Sequence, residues 1–142
     1  VSVPGYTFVA SISAIIWARA VPILAEIDES LTIDPDDIEK KITDRTKAIM
    51  PVHMLGNPCD MDRITAIAQK HNLYVVEDCA QALGASFKGR KVGTIGDIGA
   101  YSLNHMKVIS AGDGGAAKPL SETEKKRLQS LLKNGGEKGN NP

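Results

Sequence analysis

Apolar residues recur with two different periods along the first half of the chain, and the regular exchange between them limits the fold more than any other feature. Phe8, Ile12, Ile15, Ile16 and Arg19 fall at helical spacing. Val9, Ala10, Ala14 and Ala18 fill much of the remaining circumference. This predicts a helix from a Thr7 cap to about Arg19, buried on more than one side. Residues 21–27 read as a strand. Asp34, Pro35, Asp36 and Asp37 supply a capping acid, proline at the first helical position and acids in the first turn. Ile38 and Ile42 give that second helix one apolar stripe. Residues 48–52 form a β-rich run. Asp60 caps a third helix, with Met61, Ile64, Ile67 and Ala68 on one face, and residues 73–76 read as a strand closed by Glu77 and Asp78. Helices that alternate with strands in this way predict an α/β fold, a mostly parallel sheet with helices packed on its faces.

The second half has a different texture. Gly84, Gly89, Gly93, Gly96 and Gly99 punctuate short segments and predict hairpins and tight loops. Residues 100–103 form a candidate strand, and 112–115 (GDGG) read as a turn. Ser121 and Glu124 fit a capping box ahead of a helix carrying Leu128, Leu131 and Leu132.

Composition excludes several function classes. Seventeen basic residues balance seventeen acidic ones, without the excess that polyanion binding needs, so no nucleic-acid partner is expected. A hydrophobic share of 42% with 24% charged residues is that of a folded globular chain. Residues 6–25 carry Arg19 as their one charge, but that arginine, Pro22 and two serines interrupt a stretch that would need about 20 apolar residues to span a bilayer, so no membrane partner is expected. Cys59 and Cys79 form no paired motif and read as free thiols of a reducing, cytoplasmic compartment. No signal peptide is visible, and no H-E-x-x-H or paired-cysteine spacing supports a metal. The chain opens within a strand pattern and closes in GEKGNNP. Both ends read as interruptions, so a segment of a longer protein is expected.

Ligands of open α/β sheets lie beyond the carboxyl ends of the strands. Three such ends carry polar groups here: His53, the Glu77–Asp78 pair, and the loop from Ser102 to Lys107. An acid that follows a buried run needs a partner, either backbone N–H groups or a ligand. Lys107 lies between apolar segments, where desolvation favours the free amine that a Schiff base requires; the alternative is a lysine that reaches to solvent. A lysine and a carboxylate of this kind suit pyridoxal phosphate. One holds its aldehyde as an imine and the other keeps its ring nitrogen protonated.

Several motifs extend that reading: VPGYTF (3–8), TKAIMPVHMLG (46–56), VEDCAQALGA (76–85), GRKVGTIGD (89–97), SLNHMK (102–107) and GDGG (112–115). Together and in this order they resemble the DegT/DnrJ/StrS sugar aminotransferases, pyridoxal-phosphate enzymes of the aspartate-aminotransferase fold. The resemblance implies a three-layer sandwich of which residues 1–142 form part of the cofactor-binding large domain. The N-terminal part, with a Gly-Thr phosphate motif, and the small C-terminal domain would lie outside. It implies Lys107 as the Schiff-base lysine and proton carrier, Asp78 on the pyridine nitrogen, Gln81 on the ring hydroxyl, Ser102 on the phosphate and Phe8 against the ring. It also implies a nucleotide-linked keto-sugar as substrate, glutamate or glutamine as amino donor, and a homodimer for the full-length enzyme. Leu103 and Asp113 depart from the family's usual Phe and Glu. Two other functions fit the same fold: a sugar dehydratase, whose histidine in place of the lysine argues against it here, and a non-catalytic cofactor-binding regulator. His53 is expected to be a hydrogen-bonded structural residue and His71 to lie at the surface. His105 faces either the site or solvent.

Overall fold

The computed structural model describes residues 1–118. The expected helix around Leu128 lies outside the described residues. Strand β1 (Ser2–Pro4) leads to helix α1 (Val9–Trp17), then β2 (Ile23–Ala25), α2 (Pro35–Lys41), β3 (Ala48–Ile49), α3 (Met61–His71) and β4 (Tyr74–Asp78). A two-stranded hairpin, β5 (Ser86–Phe87) with β6 (Arg90–Lys91), precedes β7 (Ile98–Asn104) and β8 (Asp113–Ala117). The main sheet has the order β2-β1-β3-β4-β7-β8. All its pairings are parallel except β7 with β8. The chain runs outward from β1 to β2 and then returns past β1 to β3, so the winding reverses between β1 and β3. Ligand crevices of such sheets form where the winding reverses.

Two helices start where local chemistry predicts. The Asp34 carboxylate accepts the Asp36 N–H at the head of α2, and Asp60 accepts the Arg63 N–H at the head of α3. Helix α3 ends at Asn72 in the left-handed conformation. Ile38 of α2 and Met61, Ile64, Ile67 and Ala68 of α3 pack with Ala25, Ile49 and Val75 of the sheet into the main core.

Helix α1 differs from expectation at both its start and its surface. Phe8, not Thr7, occupies the capping position, and no side chain caps the helix. The Thr7 hydroxyl instead meets that of Ser11, which removes it from the backbone. Only Ser11 and Ile15 are buried, while Val9, Ile16 and Trp17 are exposed, Trp17 at 88%. The sheet covers one side of α1, and among the described residues nothing covers the other. The GDGG stretch also differs: only Gly112 keeps the positive φ of a turn, and Asp113–Ala117 continue as β8. Pairing with β7 decides this, since each residue from Ala100 to Asn104 has a partner on β8. Strand β7 is correspondingly longer than its predicted core.

One close approach explains two of the glycines. A Cβ at Gly99 would lie 2.1 Å from the Gly93 carbonyl oxygen, and Gly93 itself has φ +82° beneath the Tyr101 ring. Main chain therefore rests on main chain where the 93–96 loop crosses β7. Gly99→Ala is expected to destabilise the protein by about 3 kcal/mol, as overpacking against rigid backbone does. Gly89→Ala, in open space at φ +81°, should cost about 1 kcal/mol from backbone strain alone. Chemical denaturation of the two variants checks the difference.

Candidate active site

The site is built from the ends of four strands. β4 closes in two consecutive acids, and the pleat sends successive side chains to opposite faces. Val75 and Glu77 point toward α3 and are fully buried, while Val76 and Asp78 point toward α1. Each acid thus meets a different environment.

Glu77 is satisfied entirely within the protein. Its Oε2 accepts from Gly93 N at 2.7 Å and faces His53 Nε2 at 3.1 Å; its Oε1 accepts from Ile95 N at 2.8 Å and Gly96 N at 2.6 Å. Cys59 N donates to His53 Nδ1 at 3.1 Å, which leaves Nε2 to carry the hydrogen toward Glu77. Burial pushes the Glu77 carboxyl up, but the His53 contact and the N–H groups of Gly96, Gly93 and Ile95 outweigh it and hold the carboxyl below its ordinary value. His53 is the hydrogen-bonded structural residue expected. His71 is half-buried beside Glu39, and His105 is exposed. His53, Glu77 and Cys79 bring ligand-type atoms within 4.8 Å of one another. The oxygens and the ring nitrogens of that cluster are already engaged in hydrogen bonds, and burial pushes the Cys79 thiol up to about 12.

Asp78 faces a cavity of about 350 Å³, within the range of about 300–1,000 Å³ usual for small-molecule sites. All five residues singled out in the sequence line it: Phe8 after β1, Asp78 at the end of β4, Gln81 after it, Ser102 on β7 and Lys107 in the turn beyond. Lys107 is half-buried. The apolar neighbours expected to desolvate it, Val108 and Ile109, are instead exposed. Its turn is set by Asn104, whose carbonyl oxygen accepts the Lys107 N–H and whose side chain bonds Met106 N and Asp113. The aspartate at 113 therefore helps close the turn that carries the lysine. Leu55 N donates to Gln81 Oε1 at 2.9 Å, which leaves the Gln81 amide NH₂ free of partners among the described residues. Among the described residues Ser102 Oγ accepts only a long bond from Asn104 N, which leaves its hydroxyl hydrogen available to a ligand.

The sequence reading missed Ser11. Its hydroxyl donates to Asp78 Oδ2 at 2.7 Å from 67 positions away, and a polar residue on the inner face of a helix was the only available signal.

The DegT/DnrJ/EryC1/StrS aminotransferase family matches residues 1–141. The chain is 44% identical over 133 residues to the L-glutamine:2-deoxy-scyllo-inosose aminotransferase of Streptoalloteichus tenebrarius, covering 93% of this chain and 31% of that protein. It is 48% identical over 116 residues to the GDP-perosamine synthase of Escherichia coli O157:H7, covering 81% and 32%. The structure of S. venezuelae DesV in complex with a ketimine intermediate superposes with a TM-score of 0.82 at 41% identity, covering 92% and 36%. The chain thus spans about a third of the length of these relatives.

Glu77→Gln should lower stability near neutral pH by about 2 kcal/mol, since a charged acceptor of several buried donors is lost. The native carboxyl is held below its ordinary value of 4.5, so its contribution is complete above that pH and is lost as pH falls through the native value. Denaturation between pH 3 and pH 7, about the range that brackets this titration, should show a steep acid loss in the native protein and a shallower one in the variant.

Proposed function

The chain belongs to the DegT/DnrJ/EryC1/StrS aminotransferase family, and from that premise we propose that its cavity binds pyridoxal 5'-phosphate and serves amino transfer from glutamate or glutamine to a keto-sugar, first among them a nucleotide-linked one. The observation that carries this reading is the convergence of Lys107 and Asp78 on one cavity, with Gln81, Ser102 and Phe8 around them. The donor set fits the group. Among the described residues, an acceptor with no cation against it suits a ring N–H, a free amide NH₂ suits a ring oxygen, and a free hydroxyl suits a phosphate.

When bound, the cofactor supplies an aldehyde that condenses with amines and a ring that withdraws electrons from the adjoining carbon. Lys107 would hold that aldehyde through Nζ and would carry the proton at the reacting substrate carbon. Asp78 keeps the ring nitrogen protonated. Gln81 orients the ring through its oxygen, Ser102 donates to the phosphate, and Phe8 contributes an aromatic contact to one face. The GDP-perosamine synthase likeness supports a nucleotide-linked substrate. The 2-deoxy-scyllo-inosose aminotransferase likeness supports a carbocyclic ketone as the second substrate to test.

The shares of the relatives covered, 31% and 32%, support residues 1–142 as part of a larger cofactor-binding domain in a longer polypeptide. That enzyme would be a cytoplasmic homodimer, and no helix among the described residues is long and apolar enough to cross a membrane.

Incubating the full-length polypeptide with a 4-keto nucleotide sugar, or with a keto-cyclitol, and glutamate or glutamine should yield the amino product by mass spectrometry. Cofactor binding without turnover on either ketone would instead favour a regulator. Lys107→Ala should abolish the visible absorbance of the lysine-bound cofactor and lower turnover by at least about 100-fold. Asp78→Asn should still bind the cofactor while losing turnover by about 100-fold. The 142-residue piece by itself should bind the cofactor more weakly than the full-length protein, as equilibrium dialysis would record.

A further inference from the structure

Ser11 is 4% exposed and has one hydroxyl hydrogen, which it gives to Asp78 Oδ2 at 2.7 Å. The Ser11 oxygen then acts as acceptor toward Thr7 Oγ1 at 2.9 Å, so the Thr7 hydrogen points to Ser11. The donor order is therefore fixed: Thr7 to Ser11 to Asp78. On the other carboxylate oxygen, Ala80 N donates to Oδ1 at 3.0 Å. The Asp78 main chain is tied as well, its N–H to the Pro51 oxygen and its carbonyl oxygen to the His53 N–H. Among the described residues no lysine, arginine or histidine forms an ion pair with Asp78.

This arrangement has a specific chemical consequence. A carboxylate offers about four lone-pair sites, and the hydroxyl and the Ala80 N–H use one on each oxygen. Both donors are neutral. They fix the orientation of the carboxylate without cancelling its charge, as a lysine or arginine would. The charge and the remaining acceptor sites stay available on the cavity side.

We infer that Ser11, held by Thr7, is a positioning residue that aims Asp78 at a cationic ring N–H and so makes the site selective for a ligand ring that carries a protonated nitrogen. The inference rests on the cavity being the pyridoxal phosphate site. It deepens that reading by assigning the ring-nitrogen preference to a hydroxyl pair on the β1–α1 segment rather than to Asp78 alone.

The test compares pyridoxal phosphate with its 1-deaza analogue, in which a C–H replaces the ring nitrogen. Dissociation constants are measured by equilibrium dialysis on the full-length protein and on its Ser11→Ala, Ser11→Thr and Thr7→Val variants. Ser11→Ala should weaken pyridoxal phosphate binding about tenfold, the effect of one hydrogen bond to a charged group. Binding of the deaza analogue should change by less than about twofold, because its ring offers Asp78 no N–H. Ser11→Thr, which keeps the hydroxyl, should restore the preference, and Thr7→Val should fall between. Equal losses for both ligands would mean that Ser11 only packs the helix, and unchanged binding of both would remove the relay; either overturns the inference. If Ser11→Ala does not fold, Thr7→Val reads the same ratio from a half-buried position, and an unchanged ratio there overturns the inference. Failure of the unaltered protein to bind pyridoxal phosphate at all would overturn the cofactor reading itself, and that outcome is distinct from any change in the ratio.

Discussion

The pleat of β4 governs the architecture of this chain. By turning Glu77 and Asp78 to opposite sides of the sheet, it gives two chemically similar groups opposite duties. Glu77 gathers three main-chain N–H groups and His53 into one buried cluster, which ties β4 to the loop ahead of β7. That tie sets β7 beside β4, and β7 carries Ser102 and leads into the Lys107 turn. Asp78 is left with its acceptor sites toward the cavity. A buried carboxylate is tolerable only when its hydrogen bonds are complete, and their completeness here makes Glu77 a structural anchor.

The cavity draws on sequence positions a hundred residues apart, yet each contribution comes from the same edge of the sheet. Parallel strands aim all their carboxyl ends the same way, so loops that are distant in the chain meet there. Phe8 and Ser11 follow β1, Val52 follows β3, Gln81 follows β4 and Lys107 follows β7. The antiparallel β8 then closes the turn through Asn104 and Asp113. The lysine is thereby placed by a hairpin, whereas the aspartate is placed by the last residue of a parallel strand.

What the sequence revealed in advance was mainly what is local. The heads of α2 and α3 were legible because a capping aspartate acts within three residues of itself. The parallel sheet was legible from alternating periods. The two acids at the end of β4 were visible and likeness to a family singled out Asp78; the physical reason was not legible, because which acid faces the cavity depends on which side of the sheet α3 covers. Thr7 looked like a helix cap because its real partner, Ser11, competes for the same hydroxyl. GDGG looked like a turn because strand pairing with β7 leaves no mark on a run of small residues. The exposed side of α1 shows the same limit from the other direction: its apolar circumference was plain, but what packs against it is not a property of the helix. Gln81 and Ser102 entered through likeness to a family, and their free donors became apparent only when Leu55 and Asn104 were seen to occupy the other atoms.

On the 93–96 loop the Glu77 clamp holds peptide groups, not side chains. Thr94 and Ile95 can therefore drift to other residues without breaking it, provided the path of the loop is kept. Gly93, Gly96 and Gly99 cannot, since each fills a space that admits no extra carbon. Substitution tolerance should then be sharply uneven across seven neighbouring positions: near-absolute intolerance at three glycines, freedom at Thr94, and freedom among apolar side chains at Ile95, which packs on the core. A homologue could differ at 94 and 95 and still present the same carboxylate geometry, whereas Asp97, whose Oδ2 accepts the Val75 N–H, belongs with the fixed positions.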